Sequence, residues 1–346
     1  MRWYWFLLVV MLACPVGAGE LPPVKLGLVV PLAGAASRWG QGMRRAAEMA
    51  VGDWTEKLGR KVELSLGEDQ FDPKHAITVA EQFVREGVWG VVGHVYSSSS
   101  IPASVLYHEA NIPQVTATST HPRLTAQGYE NVFRVTGRDE QHALCAVEFI
   151  LSRLGARRIA VIHDRTEYGR TLAEMLITSV ERRAGRRVTA VGAIVQGDED
   201  FSAVVSRLKS TGPDVVYFAG LSREGGYLIR QLRQAGVRAS FVSGDGCLDP
   251  EFVKIAGEEA ASGAYFTMSY DGALGRLRWD RNGDLITSPY VVYVTKKGGS
   301  LHGWFEQLAV VSPTGERALT PAAERHDGQP RTDNRPISNC GLSIFH

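Results

Sequence analysis

Short β-branched runs alternate with helix-length amphipathic stretches from Lys25 onward, and the whole alternation occurs twice along the chain. Strands with a helix between consecutive members fold as parallel sheets joined by right-handed crossovers. Residues 25–32 (KLGLVVPL) read as a buried strand, followed by a small-residue loop and a helix from about Gln41 to Leu58. That helix carries Met43, Ala47, Ala50, Val51 and Trp54 at helical spacing. Residues 61–69 alternate as a strand, and Asp72-Pro73 gives an N-cap and first-turn proline for a helix through Val84. Residues 88–92 suit a strand covered on both faces, ended by Gly93. Ser97–Ser100 then open a helix, with Pro102 in its first turn, and residues 114–116 make a short strand.

The second round runs as helix 138–154, strand 158–163, helix 169–184, strand 188–195, helix 201–210 and strand 215–219. Helix 222–235 and strand 240–243 follow, Asp249-Pro250 repeats the capping device, and strand 263–268 closes the series. The expected fold is therefore α/β, with two doubly wound parallel-sheet lobes, 24–137 and 138–305, hinged near residues 132–137. Beyond Leu308 the chain turns rich in Pro, Arg, Asp and Gly, so 306–346 reads as a disordered tail.

Charge excludes some functions. Lys and Arg number 38 against 37 Asp and Glu, which does not suggest nucleic acid or an anionic membrane as a partner. Gly40-Gln41-Gly42 has Arg45 where a dinucleotide loop needs its third glycine. Cys145, Cys247 and Cys340 have no metal-like spacing, the histidines are scattered, and no cofactor is expected. At the N-terminus, Arg2 precedes an apolar core and Val16-Gly17-Ala18, so residues 1–18 read as a secretory signal cleaved after Ala18. Leu12 makes Cys14 a poor lipidation site.

Ligands of open parallel sheets bind off the carboxyl ends of strands. Polar or aromatic turns stand at those ends: Trp39, Ser97–Ser100, Thr116–Thr120, Tyr168, Leu221-Ser222 and Asp245. A helix N-terminus with several hydroxyls suits a carboxylate or phosphate. A cleft-serine hydrolase is the enzyme alternative, but Gly220-Leu221-Ser222 is followed by Arg223-Glu224 before Gly225, which breaks the G-x-S-x-G spacing.

The stretches at 25–34, 93–104 (GHVYSSSSIPAS), 116–141, 163–170, 200–220 and 275–285 (GRLRWDRNGDL) together resemble the solute-binding proteins of branched-chain amino-acid ABC importers. This is the leucine/isoleucine/valine-binding type, a type I periplasmic binding protein. The resemblance implies periplasmic binding of an amino acid or amide without catalysis, and delivery to an ABC permease. A ligand-sensing receptor domain with the same lobes is the alternative. It implies that Ser97 and Thr120 hold the ligand carboxylate, that Thr118-Ser119 lends a carbonyl and an N–H, and that Asp245 is the counter-ion of the ammonium. Trp39 and Tyr168 would wall the side-chain pocket.

Four departures from the family pattern carry expectations. Phe71 and Tyr96 replace a disulfide pair found in some members, and should pack instead. Leu221 replaces a frequent aromatic, and Asp245 is shorter than a glutamate; the pocket should take a bulky aliphatic or aromatic amino acid. Residues 269–274 leave no room for even one average helix of about 11–12 residues, where the family returns to its first lobe. A shortened first lobe with one under-covered sheet face is expected, with a single crossover near 132–137. Such a face favours dimerisation or low stability.

Overall fold

The computed structural model describes residues 21–33, 37–184, 188–269, 280–284, 290–296, 305–311 and 342–344. The expected signal segment and Cys14 lie outside them. In the first lobe, strands β1 (Val24–Val29), β2 (Val62–Gly67), β3 (Gly90–Val92), β4 (Gln114–Thr116) and β5 (Val132–Arg134) form one parallel sheet in the order β2-β1-β3-β4-β5. The helices are α1 (Ser37–Leu58), α2 (Pro73–Glu86), α3 (Ser97–Glu109) and the short α4 (Arg123–Ala126). Asp72 caps α2 as its sequence implies, accepting from the N–H groups of Lys74 and His75.

In the second lobe, β6 (Ile159–His163), β7 (Ala190–Ala193), β8 (Val215–Ala219), β9 (Ser240–Ser243) and β10 (Tyr265–Ser269) run parallel. Helices α5 (Asp139–Glu148), α6 (Glu167–Ala184), α7 (Ser202–Thr211), α8 (Ser222–Gln234) and α9 (Pro250–Ala256) connect or cover them. The sheet does not close at β10. Antiparallel β11 (Tyr290–Thr295), β12 (Phe305–Val311) and β13 (Leu342–Ile344) extend it, in the order β13-β12-β11-β10-β9-β8-β6-β7. The stretch read as a tail thus contributes most of β12 and all of β13; residues 312–341 lie outside the described residues.

Phe218, Phe241, Phe252 and Phe266 fill one side of this second sheet, and Val161, Leu172, Leu176 and Val242 the other. The first lobe is packed less evenly. Val29, Phe83, Val91 and Tyr107 form a dry layer under α2 and α3. On the opposite face α1 covers Leu28 and Val30, but Val92 in the central strand β3 is 40% exposed. Met49 and Trp54 on α1 are 73% and 54% exposed. Residues 88–92 are therefore not covered on both faces, because no described helix lies over that half of the sheet.

Two helix starts differ from the sequence reading. α1 begins at Ser37, which puts Trp39 in its first turn rather than in the preceding loop. α3 begins at Ser97 behind Tyr96, so Pro102 lies inside the helix. The single crossover is also corrected. The Arg134 N–H donates to the Gly283 carbonyl at 3.0 Å, and the Arg134 guanidinium pairs with Asp284 at 2.6 Å. After β10 the chain therefore returns to the first lobe at β5, then rejoins the second at Tyr290, whose hydroxyl donates to the Arg138 carbonyl. The lobes share three connections, and the short segment 280–284 makes two of them possible.

Candidate functional site

The carboxyl ends of both sheets face one cleft, and side chains from both lobes meet across it. The Trp39 indole N–H donates to Asp249 Oδ2 at 2.6 Å, and His121 Nε2 lies 3.2 Å from Glu167 Oε1. A small cavity opens beside the first contact. Trp39, Phe71, Tyr96, Leu221, Glu224 and Glu251 are among its walls. Phe71 and Tyr96 meet edge to face, ring centroids 4.2 Å apart, where a cysteine pair was absent from the sequence.

The hydroxyl turns of the first lobe are built around backbone carbonyls. Ser100 and Thr116 donate to the carbonyl of His94, and Thr118 donates to that of Val95 at 2.6 Å. Ser119 Oγ sits 2.6 Å from Ser100 Oγ, its N–H donates to Thr116, and its carbonyl accepts from Arg134. Ser119 is thus consumed in holding the turn. Ser97, the first residue of α3, is buried, and its hydroxyl accepts weakly from the His121 N–H at 3.4 Å. Thr120 is buried beside it in the same turn, and its carbonyl accepts the Asp139 N–H at 3.0 Å.

A buried framework holds the His94 backbone in place. His94 Nδ1 lies 2.7 Å from Asp69, and its Nε2 3.1 Å from the Tyr107 hydroxyl. Arg134, also wholly buried, reaches the carbonyls of Ser119 and His121 with its two terminal nitrogens. One side chain thus ties the hydroxyl turn to the returning segment at Asp284.

Across the cleft, the Tyr168 hydroxyl donates to Asp245 Oδ1 at 2.7 Å. His142 Nδ1 lies 3.8 Å from the same oxygen, and burial pushes the His142 pKa down. Asp139 opens α5 between Thr120 and this group. It is wholly buried and makes no ion pair among the described residues. Burial pushes its carboxyl up to about 7; the Thr120 hydroxyl opposes that rise and the Asp245 charge adds to it.

The eight residues expected from sequence fall into three groups. Ser97, Thr118, Ser119 and Thr120 form the hydroxyl turn, while Tyr168 and Asp245 form a bonded pair opposite. Trp39 and Leu221 line the adjoining cavity, and Gly246, next to Asp245, completes part of its wall. Sequence reasoning missed Asp139, Arg134, Asp249, Glu224 and Glu251 as parts of the cleft. Asp139 lies within the 116–141 stretch that carries the resemblance, but an acidic residue opening a helix reads as dipole compensation. Among the described residues no cluster is arranged to hold a metal ion, and no helix is long and apolar enough to cross a membrane.

Known proteins match this architecture. A periplasmic binding protein family profile matches residues 23–287. The chain is 36% identical over 248 residues to Leu/Ile/Val-binding protein homolog 1 of Brucella abortus, covering 71% of this chain and 67% of that one. It thus spans about two thirds of the length of such relatives. An amino acid binding protein of Pseudomonas aeruginosa is 31% identical over 347 aligned positions, covering 82% of this chain and 92% of the relative. The crystal structure of a leucine binding protein from Thermotoga maritima superposes with a TM-score of 0.75 at 27% identity, covering 84% of this chain and 99% of that one. The two sheets, the cleft between their carboxyl ends and these matches together make the chain a member of the periplasmic binding protein family.

Proposed function

We propose that the cleft binds the zwitterion of an α-amino acid or a close analogue, for delivery to an ABC permease from an extracytoplasmic location. The single observation that carries this reading is the buried Asp139 carboxyl, set between the hydroxyl turn at Thr120 and the Asp245 carboxylate. A buried carboxylate with no cationic partner is costly unless a cation arrives. An ammonium supplies it. The ligand carboxylate then falls at the amino end of α3, where Ser97 and Thr120 offer hydroxyls and the helix N-terminus offers partial positive charge. Thr118 contributes at the same turn, and Ser119 acts by fixing its shape.

Tyr168 orients Asp245 toward the ammonium, and Trp39 and Leu221 wall the side-chain end. No catalytic step is needed. The Ser222 hydroxyl donates to Glu251, so it is not paired with a histidine base. The names of the relatives support an amino acid as ligand: Leu/Ile/Val-binding and amino acid binding proteins. A thermal-shift screen of the full chain against the common L-amino acids tests the reading. A raised melting temperature with at least one L-amino acid, absent with its amino-blocked derivative, is the expected result. No shift with any amino acid contradicts it.

A further inference from the structure

We propose that Phe71 is a specificity-determining residue of the cleft: its ring, paired with that of Tyr96, forms an aromatic wall that selects an amino acid with an aromatic side chain. This rests on the zwitterion reading above. It narrows the bulky aliphatic or aromatic side chain expected from sequence, and it gives the Phe71–Tyr96 contact a role beyond packing. Trp39, Phe71, Tyr96 and Leu221 line one cavity, the first three from the first lobe and Leu221 from the second.

The backbone at Phe71 adopts a conformation that a phenylalanine rarely takes. Gln70 and Phe71 lie consecutively in the left-handed region, at φ 50° and 63°. A bulky side chain is disfavoured there because its Cβ crowds the following carbonyl, and glycine or asparagine fills such a turn at less cost. The fold imposes the turn from both sides. Asp69 Oδ1 accepts the Phe71 N–H at 3.0 Å, while Asp69 Oδ2 lies 2.7 Å from the buried His94. Asp72 follows at once as the N-cap of α2, and its own N–H donates to the Asp69 carbonyl at 2.9 Å. Strain of this kind persists where the surroundings over-determine it, and it collects at ligand clamps. The ring is not there to fill the core. Phe71 is half-buried and, among the described residues, belongs to none of the first lobe's buried apolar clusters.

The charged groups of the lining are already engaged within the fold. Asp249 caps α9 through Oδ1 and receives the Trp39 indole at Oδ2. Glu251 accepts the Ser222 hydroxyl, Glu224 accepts the Gly197 N–H, and Arg223 is held by Glu199. The wall left to a ligand side chain is chiefly the three rings and Leu221. Trp39 is fixed in orientation by its bond to Asp249, and Phe71 meets Tyr96 at an interplanar angle of 73°. Ring edges carry partial positive charge and ring faces partial negative charge. A ligand ring therefore gains edge and face contacts here that a saturated chain of equal bulk does not.

Calorimetry on the full chain and on Phe71→Leu and Phe71→Gly, with L-phenylalanine, L-cyclohexylalanine, L-leucine and 2-phenylethylamine, tests this. Phenylalanine is expected to bind roughly three- to tenfold more tightly than cyclohexylalanine, its saturated counterpart, and than leucine. Both variants are expected to bring the phenylalanine-to-cyclohexylalanine ratio close to one. Phe71→Gly is expected to do so with little change in melting temperature, because glycine accepts the left-handed turn and no core ring is lost. A ratio unchanged in both variants, with a lowered melting temperature, makes the ring structural and overturns the proposal. Cyclohexylalanine or leucine binding the unaltered protein as tightly as phenylalanine also overturns it and leaves the zwitterion reading intact. 2-Phenylethylamine, which lacks the carboxylate, binding as tightly as phenylalanine contradicts the zwitterion reading while keeping the aromatic wall. Absence of binding by all four rejects both.

Discussion

The Trp39 indole and the Asp249 carboxylate meet at 2.6 Å across the cleft, one from the first turn of a first-lobe helix and the other from the N-cap of a second-lobe helix. A hydrogen bond to a charged acceptor contributes about 1.5–3 kcal/mol, and this one exists only while the lobes are closed. Trp39→Phe keeps the ring and removes the donor. The variant is expected to open the ligand-free protein, seen as a larger radius of gyration in small-angle scattering; an unchanged radius contradicts this role.

Arg134 is the second device that spans connections. Its guanidinium holds two carbonyls of the hydroxyl turn and pairs with Asp284. Breaking a buried pair from one side costs about 3–5 kcal/mol. Arg134→Met is expected to lower unfolding stability by that order in chemical denaturation. Arg134→Met with Asp284→Leu should recover part of the loss, because no lone charge remains buried. A double variant no more stable than the single one rejects the pairing argument.

The alternating strands, both lobes and both Asp-Pro caps were legible in sequence, because period and capping are local properties. The returning segment was not. Its hold on the first lobe rests on the Gly283 carbonyl and the Asp284 carboxylate, whose partner Arg134 is 150 positions away in Asp284's case. Strands β11 to β13 escaped notice for a related reason: antiparallel partners lie far along the chain, and nothing local marks their pairing. In the cleft, residues recognisable by family pattern were found, but nothing local marks Glu224 and Glu251 as neighbours of Trp39 at one cavity.

The bare half of the first sheet gives a stability contrast. Leu28 is 1% exposed beneath α1, whereas Val92, its partner across the β1–β3 pair, is 40% exposed. Truncating a buried leucine costs about 2–5 kcal/mol. Leu28→Ala should fall in that range, and Val92→Ala should cost about 1 kcal/mol or less. Equal losses would mean that Val92 is covered in solution, and a dimer in light scattering would identify a second copy as the cover.

Binding should depend on pH with a definite sign. Burial raises the Asp139 carboxyl to about 7, so in the free protein it is largely protonated below neutrality. A raised acid favours the folded free protein at low pH, and that contribution is lost as pH rises from about 4 to 7. An ammonium in the cleft pulls the group back to its charged form. Affinity should therefore increase from pH 5 to 8, with proton release on binding near pH 6. His121 acts in the same direction, since burial depresses its pKa in the closed cleft despite Glu167. Asp139→Asn isolates the two: it should remove most of the proton release. Release unchanged in the variant assigns the effect elsewhere.

The central claim is that Asp245 meets the ligand's ammonium opposite the hydroxyl turn. Titration calorimetry of the full chain and of Asp245→Ala, using the amino acid that gives the largest thermal shift, tests it most directly. Removing one partner of a buried charge pair costs about 2–5 kcal/mol. The account predicts an affinity loss of roughly thirtyfold or more by that cost, in a variant whose circular dichroism is unchanged. Equal affinity in the two proteins would contradict it.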